Sequence, residues 1–294
     1  MSTVSQSMGL DDLGGEYDPE LYRASIVAEA APRPTDVQWP SWEASYREHG
    51  YQAVQGLFTH DDVDAAMAGI DHLISGQVEQ FRGVQWERAA KQLAESSDLA
   101  TRRDLVRKLM YYVDHDERLH RMAHAPQVIE LMERLLGEPV TLFADQALLK
   151  PPGIGREKPW HQDLAYFDLR PGAPVVGLWI ALDEADIANG CMHLVSDSHH
   201  EGSVVHFNRR DFQICDTELA GSRVTAVPLH PGDALVFDGL LWHGTPRNGS
   251  DRRRWALQFH YARTSDMWQT KEQRHDYKEK RLAVFGADGK DVTC

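Results

Sequence analysis

Two hydrophobic patterns divide the chain into a helical part and a part rich in strands. From residue 59 to 137, apolar residues recur mainly at the three- and four-residue spacing of a helix face. From Val140 onwards they form short β-branched or aromatic runs separated by Pro and Gly, which is typical of an antiparallel sandwich or barrel. The order predicts an α+β fold in which N-terminal helices buttress one face of a β core.

The helical part contains three predicted segments. Thr59, with Asp62 three positions later, fits an N-cap with an acidic first turn, and apolar residues follow at helical spacing. Apolar residues within 105–112 predict a second amphipathic helix. The segment 126–137, with Pro at a first helical position and Gly at the end, predicts a third.

A short predicted strand at 51–54 precedes these helices, and six more strands follow them. The six are 140–149, 175–182, 192–195, 224–228, 234–237 and 255–261. Residues 1–40 are rich in Ser, Gly, Asp, Glu and Pro without a sustained apolar period, which predicts an acidic N-terminal arm. Residues 41–294 are expected to form a single domain.

Charge and composition exclude several classes of partner. The chain of 294 residues carries 45 acidic and 31 basic side chains, a formal net charge of −14. Such a chain repels polyanions, so we expect no nucleic acid and no anionic membrane surface as a general partner. No apolar run approaches the roughly 18 residues of a membrane helix.

Targeting signals and cysteine usage predict a cytoplasmic protein. The acidic N-terminus lacks the basic and apolar regions of a signal peptide, and the C-terminus lacks a Ser-Lys-Leu peroxisomal address. Three widely spaced cysteines without a CxxC pair argue against a disulfide framework and against a cysteine-based zinc site.

The segment His161-Gln162-Asp163 carries the candidate chemistry. Pro159 and Trp160 precede it and disfavour a helix, so strand alternation would place His161 and Asp163 on one face. A third ligand must come from a distant strand, and His243 follows a turn and an apolar strand. Two His and one carboxylate on one side of an ion form the facial triad of non-haem Fe(II) oxygenases.

Two other pairs have the same spacing but a different context. His60 with Asp62 and His115 with Glu117 fall in predicted helical segments. Residues two apart on a helix project about 200° apart around the axis, so neither pair is expected to share a metal.

Arg254 begins a predicted strand eleven residues after His243. A two-residue period places Arg254, Ala256 and Gln258 on one face. A fixed guanidinium near an open iron suits a dicarboxylate cosubstrate, which chelates the metal at one end and pairs with arginine at the other. The alternative is a surface charge, which fits the neighbouring Arg252 and Arg253 better.

Together these segments resemble the phytanoyl-CoA dioxygenase family of Fe(II)/2-oxoglutarate oxygenases over residues 50–262. The resemblance rests on Lys150-Pro151-Pro152, His161-Gln162-Asp163-Leu164-Ala165-Tyr166-Phe167, Asn189-Gly190-Cys191-Met192, Pro231-Gly232-Asp233 and His243-Gly244-Thr245 with Arg254. It implies a double-stranded β-helix, or jelly roll, for the domain.

The same resemblance implies roles for individual residues. His161, Asp163 and His243 match the iron ligands, which also makes them the catalytic centre. Residues matching Arg254 and Thr245 bind the distal carboxylate of 2-oxoglutarate, and those matching Gln146 and Trp179 line the cosubstrate pocket. Lys108 stays outside the predicted site because its helical region aligns poorly.

The implied reaction is hydroxylation of a small molecule. Fe(II), 2-oxoglutarate and O2 would act together on an unactivated C–H bond, with release of succinate and CO2. The carboxylate of Asp163 favours hydroxylation or desaturation over halogenation, since related halogenases have a small residue there. Ala165 stands where the acyl-CoA branch tends to have a His, which leaves the substrate class open, and the negative net charge favours a free metabolite over a CoA thioester. Tyr166, Phe167 and Trp268 are candidate pocket residues.

Two alternatives stay open from the sequence. A zinc hydrolase could use the same His, Asp and His with a metal-bound water, although Arg254 would then have no role. A non-catalytic jelly-roll binding module could keep the β core without metal chemistry. Neither the substrate nor the oligomeric state follows from the sequence.

Overall fold

Fourteen β-strands form the framework of the protein, in a computed structural model that describes residues 15–29, 32, 38–87 and 98–286. The strands are β1 Ile26–Val27, β2 Tyr51–Val54, β3 Val84–Trp86, β4 Val106–Met110, β5 Val140–Lys150, β6 Lys158–His161, β7 Val175–Ala181, β8 Met192–Val195, β9 His206–Asn208, β10 Phe212–Ile214, β11 Val224–Val227, β12 Ala234–Asp238, β13 His243–Thr245 and β14 Arg254–Arg263.

The strands form two main sheets and a small hairpin. The larger sheet has the order β2-β12-β7-β14-β5-β4-β3, and the smaller has the order β1-β11-β8-β13-β6, while β9 pairs with β10. All pairings are antiparallel except that of β1 with β11. From β5 to β8 and again from β11 to β14, consecutive strands alternate between the two main sheets, as in a jelly roll.

Helices surround this framework. The α-helices are α1 Trp39–His49, α2 His60–Ile74, α3 Leu99–Arg103, α4 Glu117–Ala123, α5 Pro126–Leu136 and α6 Lys271–Phe285. Short 3-10 helices are Pro19–Tyr22, Val113–His115, Asp163–Tyr166, Ser198–Glu201, Asp216–Leu219 and Thr264–Asp266.

Local signals fix the ends of two predicted helices. The Thr59 side chain accepts from the Asp62 N–H, and the Asp62 side chain accepts from the Thr59 N–H, which together form a capping box at α2. Pro126 begins α5, and Gly137 ends it in the left-handed conformation with φ 75°. Both predicted helices are confirmed.

The two faces of the larger sheet have different roles. One face packs against the helices: Leu149, Leu257 and Phe259 belong to the same buried cluster as Ile70 and Leu131. The other face meets the smaller sheet in a second cluster. That second cluster includes Trp179, Leu235, Phe237 and Ala256 from the larger sheet, and Met192 and Leu194 from the smaller. The predicted α+β jelly roll with buttressing helices is confirmed.

The predicted helix at 105–112 is wrong. Residues Val106–Met110 form β4, which pairs with β3 and β5 at the edge region of the larger sheet. Val106 and Leu109 are both completely buried, but three residues apart they bury opposite faces of a short strand. Sheet pairing with β5 therefore overrides the helical spacing of Leu105, Leu109 and Tyr112.

The predicted strands are confirmed with small shifts at their ends. Tyr51–Val54 and Met192–Val195 match the prediction, and the strand predicted at 255–261 extends to Arg254–Arg263. The predicted alternation through 161–163 ends earlier. Strand β6 stops at His161, Gln162 keeps an extended backbone, and Asp163 begins a 3-10 helix.

Part of the predicted acidic arm packs on the smaller sheet. Strand β1 pairs with β11, and the Tyr22 ring stacks on Trp160 with centroids 5.3 Å apart. The Tyr22 hydroxyl donates to Glu157 at 2.8 Å. Residues 1–14, 30–31 and 33–37 of the arm lie outside the described residues.

Two further observations concern cysteines and membrane spans. Cys191 is buried and free, and Cys215 is disulfide-bonded, although the cysteine spacing argued against a disulfide framework. Within the described ranges, no helix is long and apolar enough to cross a bilayer.

Candidate metal centre and cosubstrate pocket

Three side chains from two neighbouring strands and a 3-10 helix meet in the interior. His161 ends β6 and His243 begins β13, and the two are register partners in the antiparallel pairing of these strands. Asp163 follows His161 after one extended residue. One possible ligand atom from each residue lies within 4.8 Å of the others, and all three residues are buried. Asp163 Oδ1 lies 3.2 Å from His161 Nε2 and 3.6 Å from His243 Nε2.

Main-chain hydrogen bonds orient both imidazoles. The Nδ1–H of His161 donates to the Pro159 carbonyl at 2.8 Å, and that of His243 donates to the Leu241 carbonyl at 2.9 Å. This assigns the proton to Nδ1 and leaves the Nε2 lone pair of each ring free toward Asp163. Such a tautomer is the one a metal-binding histidine needs.

Electrostatics favour a neutral His161 imidazole and an ionised Asp163 carboxylate. Burial, together with nearby His243, lowers the pKa of His161 to about 3. Burial alone would raise the pKa of Asp163, but the neighbouring His260 and His243 outweigh it, and the pKa lies well below its ordinary value. Two neutral nitrogens and one carboxylate on one side of a site fit Fe(II) in a facial triad.

Gln162 points away from this group and fixes the turn between the two ligands. Its side-chain amide donates to the carbonyls of Gly202 and Leu240 at 2.7 Å each, and its Oε1 accepts from the Val204 N–H at 2.9 Å. The fully buried Gln162 therefore ties the His161–Asp163 segment to two loops.

Arg254 is a buried cation without a carboxylate hydrogen bond. Its side chain donates through Nη1 to the Leu148 carbonyl at 3.0 Å, while Nε has no partner among the described residues. Its guanidinium carbon lies 5.3 Å from the centre of the Trp179 ring. Burial lowers the pKa of Arg254 to about 10, so the group stays charged at neutral pH. An incoming carboxylate would satisfy the unpaired donor.

The remaining predicted residues lie on the facing sheets. Gln146 and Trp179 flank Gln258 across three adjacent strands, as its register partners on β5 and β7. Trp179 is completely buried and Gln146 is partly buried. Thr245 is buried two residues after His243 on β13, and the register of β13 with β6 shifts between these two residues.

The sequence analysis gave no role in the site to four further polar residues. Lys150 pairs with Arg254 in register, and burial and that neighbour lower its pKa well below the ordinary value. Lys108 pairs with Leu148, which places it on the face that carries Gln146 and Lys150. The others are Gln258 and His260 on β14. The two-residue period of β14 already placed Gln258 on the face of Arg254, and extending it by two residues would have found His260; Lys108 was set aside because of the mistaken helix.

An antiparallel jelly roll with a buried His-Asp-His group is the arrangement typical of non-haem Fe(II) oxygenases. The family model for phytanoyl-CoA dioxygenase (PhyH) matches residues 46–256. The chain belongs to the phytanoyl-CoA dioxygenase family of Fe(II)/2-oxoglutarate oxygenases.

Similar proteins include peroxisomal enzymes of animals. The chain is 28% identical over 231 residues to peroxisomal phytanoyl-CoA dioxygenase of Mus musculus, a match that covers 74% of this chain and 66% of that protein. It is 29% identical over 213 residues to a probable phytanoyl-CoA dioxygenase of Caenorhabditis elegans, covering 64% of this chain and 67% of that protein. The match to the mouse enzyme thus spans slightly less than two thirds of that enzyme.

Solved structures share the fold at low sequence identity. EctD from S. alaskensis with bound Fe has a TM-score of 0.65 at 19% identity, covering 87% of this chain and 85% of that one. The epimerase SnoN, in complex with Fe3+, alpha ketoglutarate and nogalamycin RO, has a TM-score of 0.64 at 19% identity, covering 87% and 93%. The carbocyclase SnoK has a TM-score of 0.63 at 19% identity, covering 82% and 89%.

Proposed function

We propose that this protein is an Fe(II)- and 2-oxoglutarate-dependent dioxygenase that hydroxylates an unactivated C–H bond of a small organic metabolite. The observation that carries the proposal is the meeting of His161, Asp163 and His243 ligand atoms within 4.8 Å in a buried site. Membership of the phytanoyl-CoA dioxygenase family supports Fe(II) and 2-oxoglutarate as cofactors. The structural neighbours EctD and SnoN have been solved with iron and with 2-oxoglutarate.

In this proposal His161, Asp163 and His243 hold the iron. An Fe(II) ion held by these three ligands would keep open positions for 2-oxoglutarate and O2. The chemistry that iron supplies with these two reactants is oxidative decarboxylation to succinate and CO2, coupled to oxidation of a C–H bond. The protein contributes orientation, open coordination positions and a site closed to bulk water.

The cosubstrate pocket is assigned to the wall around Arg254. The Arg254 guanidinium is charged, and its Nε–H has no hydrogen-bond partner among the described residues, so it suits the distal carboxylate of 2-oxoglutarate. The Thr245 hydroxyl would be a second donor. Gln146 and Trp179 line the space between this anchor and the metal. A zinc hydrolase would give no role to a buried arginine that lacks a carboxylate hydrogen bond, and a binding module would have no need of a complete ligand group.

Aromatic side chains beside the metal centre support an organic substrate with apolar surface. The Tyr166 ring stands edge-on to His161 with centroids 5.5 Å apart, and Phe167 lies 4.9 Å from Phe143 in the same arrangement. Trp268 lies under the Arg274 guanidinium, 5.1 Å from its ring centre. We propose a free metabolite in the cytoplasm as substrate, in line with the strongly negative net charge.

Reconstitution tests the proposal. Metal-free protein is loaded anaerobically with Fe(II) and 2-oxoglutarate, exposed to O2, and screened with metabolites for stimulated release of CO2 and succinate. We expect His161→Ala to abolish succinate formation and His60→Ala, which disrupts the equally spaced helical pair, to leave it intact. Succinate formation that persists in His161→Ala, or hydrolysis supported by zinc alone, contradicts the proposal. Product analysis then separates hydroxylation from epimerisation and carbocyclisation.

A further inference from the structure

The two carboxylate oxygens of Asp163 face different groups. Oδ1 faces the Nε2 atoms of His161 and His243, at 3.2 and 3.6 Å. Oδ2 faces strand β14, where it lies 2.7 Å from His260 Nε2 and 3.0 Å from Gln258 Nε2. One oxygen is thus directed to the candidate metal position, and the other is held on the opposite side.

Hydrogen-bond chemistry fixes the roles of the two β14 residues. An ionised carboxylate only accepts, so the His260 proton lies on Nε2 and the Gln258 amide donates from its NH2 group. These two nitrogens lie 2.9 Å apart because they share one acceptor oxygen. The other ring nitrogen of His260, Nδ1, has no hydrogen-bond partner in the described part of the chain. The polar contacts of the His260 ring are therefore directed to the Asp163 and Gln258 side chains.

The surroundings keep this arrangement rigid and dry. His260 is completely buried and Gln258 is 4% exposed. The Phe167 and Phe143 rings pack on the His260 ring, with centroids 4.7 and 6.2 Å away. Strand β14 lies between β5 and β7 in the larger sheet, and its register with β5 shifts directly after His260. The shift leaves Phe143 of β5 without a register partner, while the pairing of β14 with β7 stays regular through Ala262.

A carboxylate left free can bind a metal through both oxygens. Two-oxygen binding by Asp163 would occupy a position that the cosubstrate or O2 needs. We propose that Gln258 and His260 are positioning residues that hold Asp163 Oδ2 away from iron and make this residue a one-oxygen ligand. The inference rests on the proposed function, since it assumes that the group binds iron.

The same strand carries the proposed cosubstrate anchor. Arg254, Gln258 and His260 lie on one face of β14, because their register partners on β5 are Lys150, Gln146 and Ala144. One rigid strand thereby sets both the position of the guanidinium and the orientation of the metal-binding carboxylate. The cosubstrate would bridge these two features.

Iron titration of matched variants tests the inference. Metal-free wild-type protein, His260→Leu, His260→Gln and Gln258→Leu are titrated anaerobically with Fe(II), and 2-oxoglutarate is then added. We expect His260→Leu to weaken Fe(II) binding about 10- to 100-fold, the usual effect of removing a residue that orients a ligand. His260→Gln keeps a side-chain N–H donor and should recover part of the loss. The visible charge-transfer absorption of the Fe(II)–2-oxoglutarate chelate should weaken in the same order.

A buried histidine outside the site provides the control. His193 is as completely buried as His260, but it lies on the other face of β8 beneath Tyr22. His193→Leu should keep the wild-type affinity for Fe(II), and thermal melting of each metal-free variant reports on folding. If His260→Leu does not fold, the Fe(II) affinities of Gln258→Leu and His260→Gln test the positioning role instead.

The possible outcomes separate the two proposals. Wild-type protein that binds no Fe(II) contradicts the proposed function itself. Wild-type protein that binds Fe(II), with folded β14 variants of unchanged affinity and unchanged chelate absorption, overturns the positioning role alone.

Discussion

The Arg254 guanidinium lies 5.3 Å from the centre of the Trp179 ring, in a position where Arg254 is only 1% exposed. Keeping a charge out of water is costly unless it is paired. In the described residues its Nη1 donates to one main-chain carbonyl, and its Nε donates to nothing. A carboxylate ligand is the natural complement of such a site, and this relationship connects the fold to the proposed cosubstrate.

Replacing Arg254 tests the anchor. A hydrogen bond to a charged group contributes about 1.5–3 kcal/mol, so Arg254→Gln should raise the KM for 2-oxoglutarate about 10- to 150-fold. Succinate formation at varied cosubstrate concentration measures the effect. The control is Arg252→Gln, which removes an exposed arginine paired with Asp186. Equal cosubstrate KM values for the two variants would remove Arg254 from the pocket.

Substituting Gly177 tests how closely this strand of the larger sheet packs against Phe237, next to the candidate metal centre. A Cβ at this position would lie 2.4 Å from the Phe237 ring, which must then move. Phe237 packs 4.8 Å from the His243 ring. We expect Gly177→Ala to cost about 1–3 kcal/mol of stability through overpacking and to weaken Fe(II) binding by displacing His243. Both effects are measurable by denaturant unfolding and by Fe(II) titration.

Gly249→Ala is the matched control for this substitution. A Cβ there would have one neighbour, the Ala188 carbonyl oxygen at 3.9 Å, which is ordinary contact. Iron affinity that is unchanged in Gly177→Ala would mean that Phe237 does not position His243.

Asp145 gives the fold a pH dependence of known sign. Burial raises its pKa to about 6, although the carboxylate accepts the N–H groups of Tyr112 and Val113. The folded chain therefore binds this proton more tightly than the unfolded chain, and stability falls as pH rises from about 4 to 6. Asp145→Asn keeps an acceptor oxygen and should remove this decline, with a gain of up to about 3 kcal/mol at pH 8. Urea unfolding between pH 4 and 8 measures it.

Asp98→Asn serves as the comparison for that experiment. Asp98 caps α3, and the hydrogen bond from the Thr101 N–H lowers its pKa, so its contribution has the opposite sign and is lost on acidification. The decline between pH 4 and 6 should persist in this variant. If the stability of the wild-type protein does not fall between pH 4 and 6, burial does not raise the pKa of Asp145 and the prediction is wrong.

Substituting Leu109 tests the packing of β4, which lies where the sequence predicted a helix. Its side chain is fully buried between β4 and the helices, so Leu109→Ala should cost about 2–5 kcal/mol in denaturant unfolding. Leu105→Ala, at a partly buried position just before the strand, should cost less. Equal losses at both positions would argue against the strand packing.

Local patterns in the sequence determined most of the framework. Short β-branched or aromatic runs between Pro and Gly located seven of the strands to within about two residues, because such side chains pack well on the pleated surface of a sheet. Thr59 and Gly137 marked helix ends, because caps satisfy main-chain groups within one turn. The candidate metal and cosubstrate residues were selected by residue type and family resemblance, since imidazole, carboxylate and guanidinium chemistry is visible without coordinates.

Only the tertiary structure decided what depends on contacts distant in the chain. Residues 105–112 have helical spacing, and the pairing of β4 with β5 makes them a strand. The hydrogen bonds of Gln258 and His260 to Asp163 join positions 95 and 97 residues apart, so no local pattern encodes them. The lack of a hydrogen-bond partner for Arg254 Nε within the described residues is likewise a property of its surroundings, because burial and partners arise only when the sheets pack on one another.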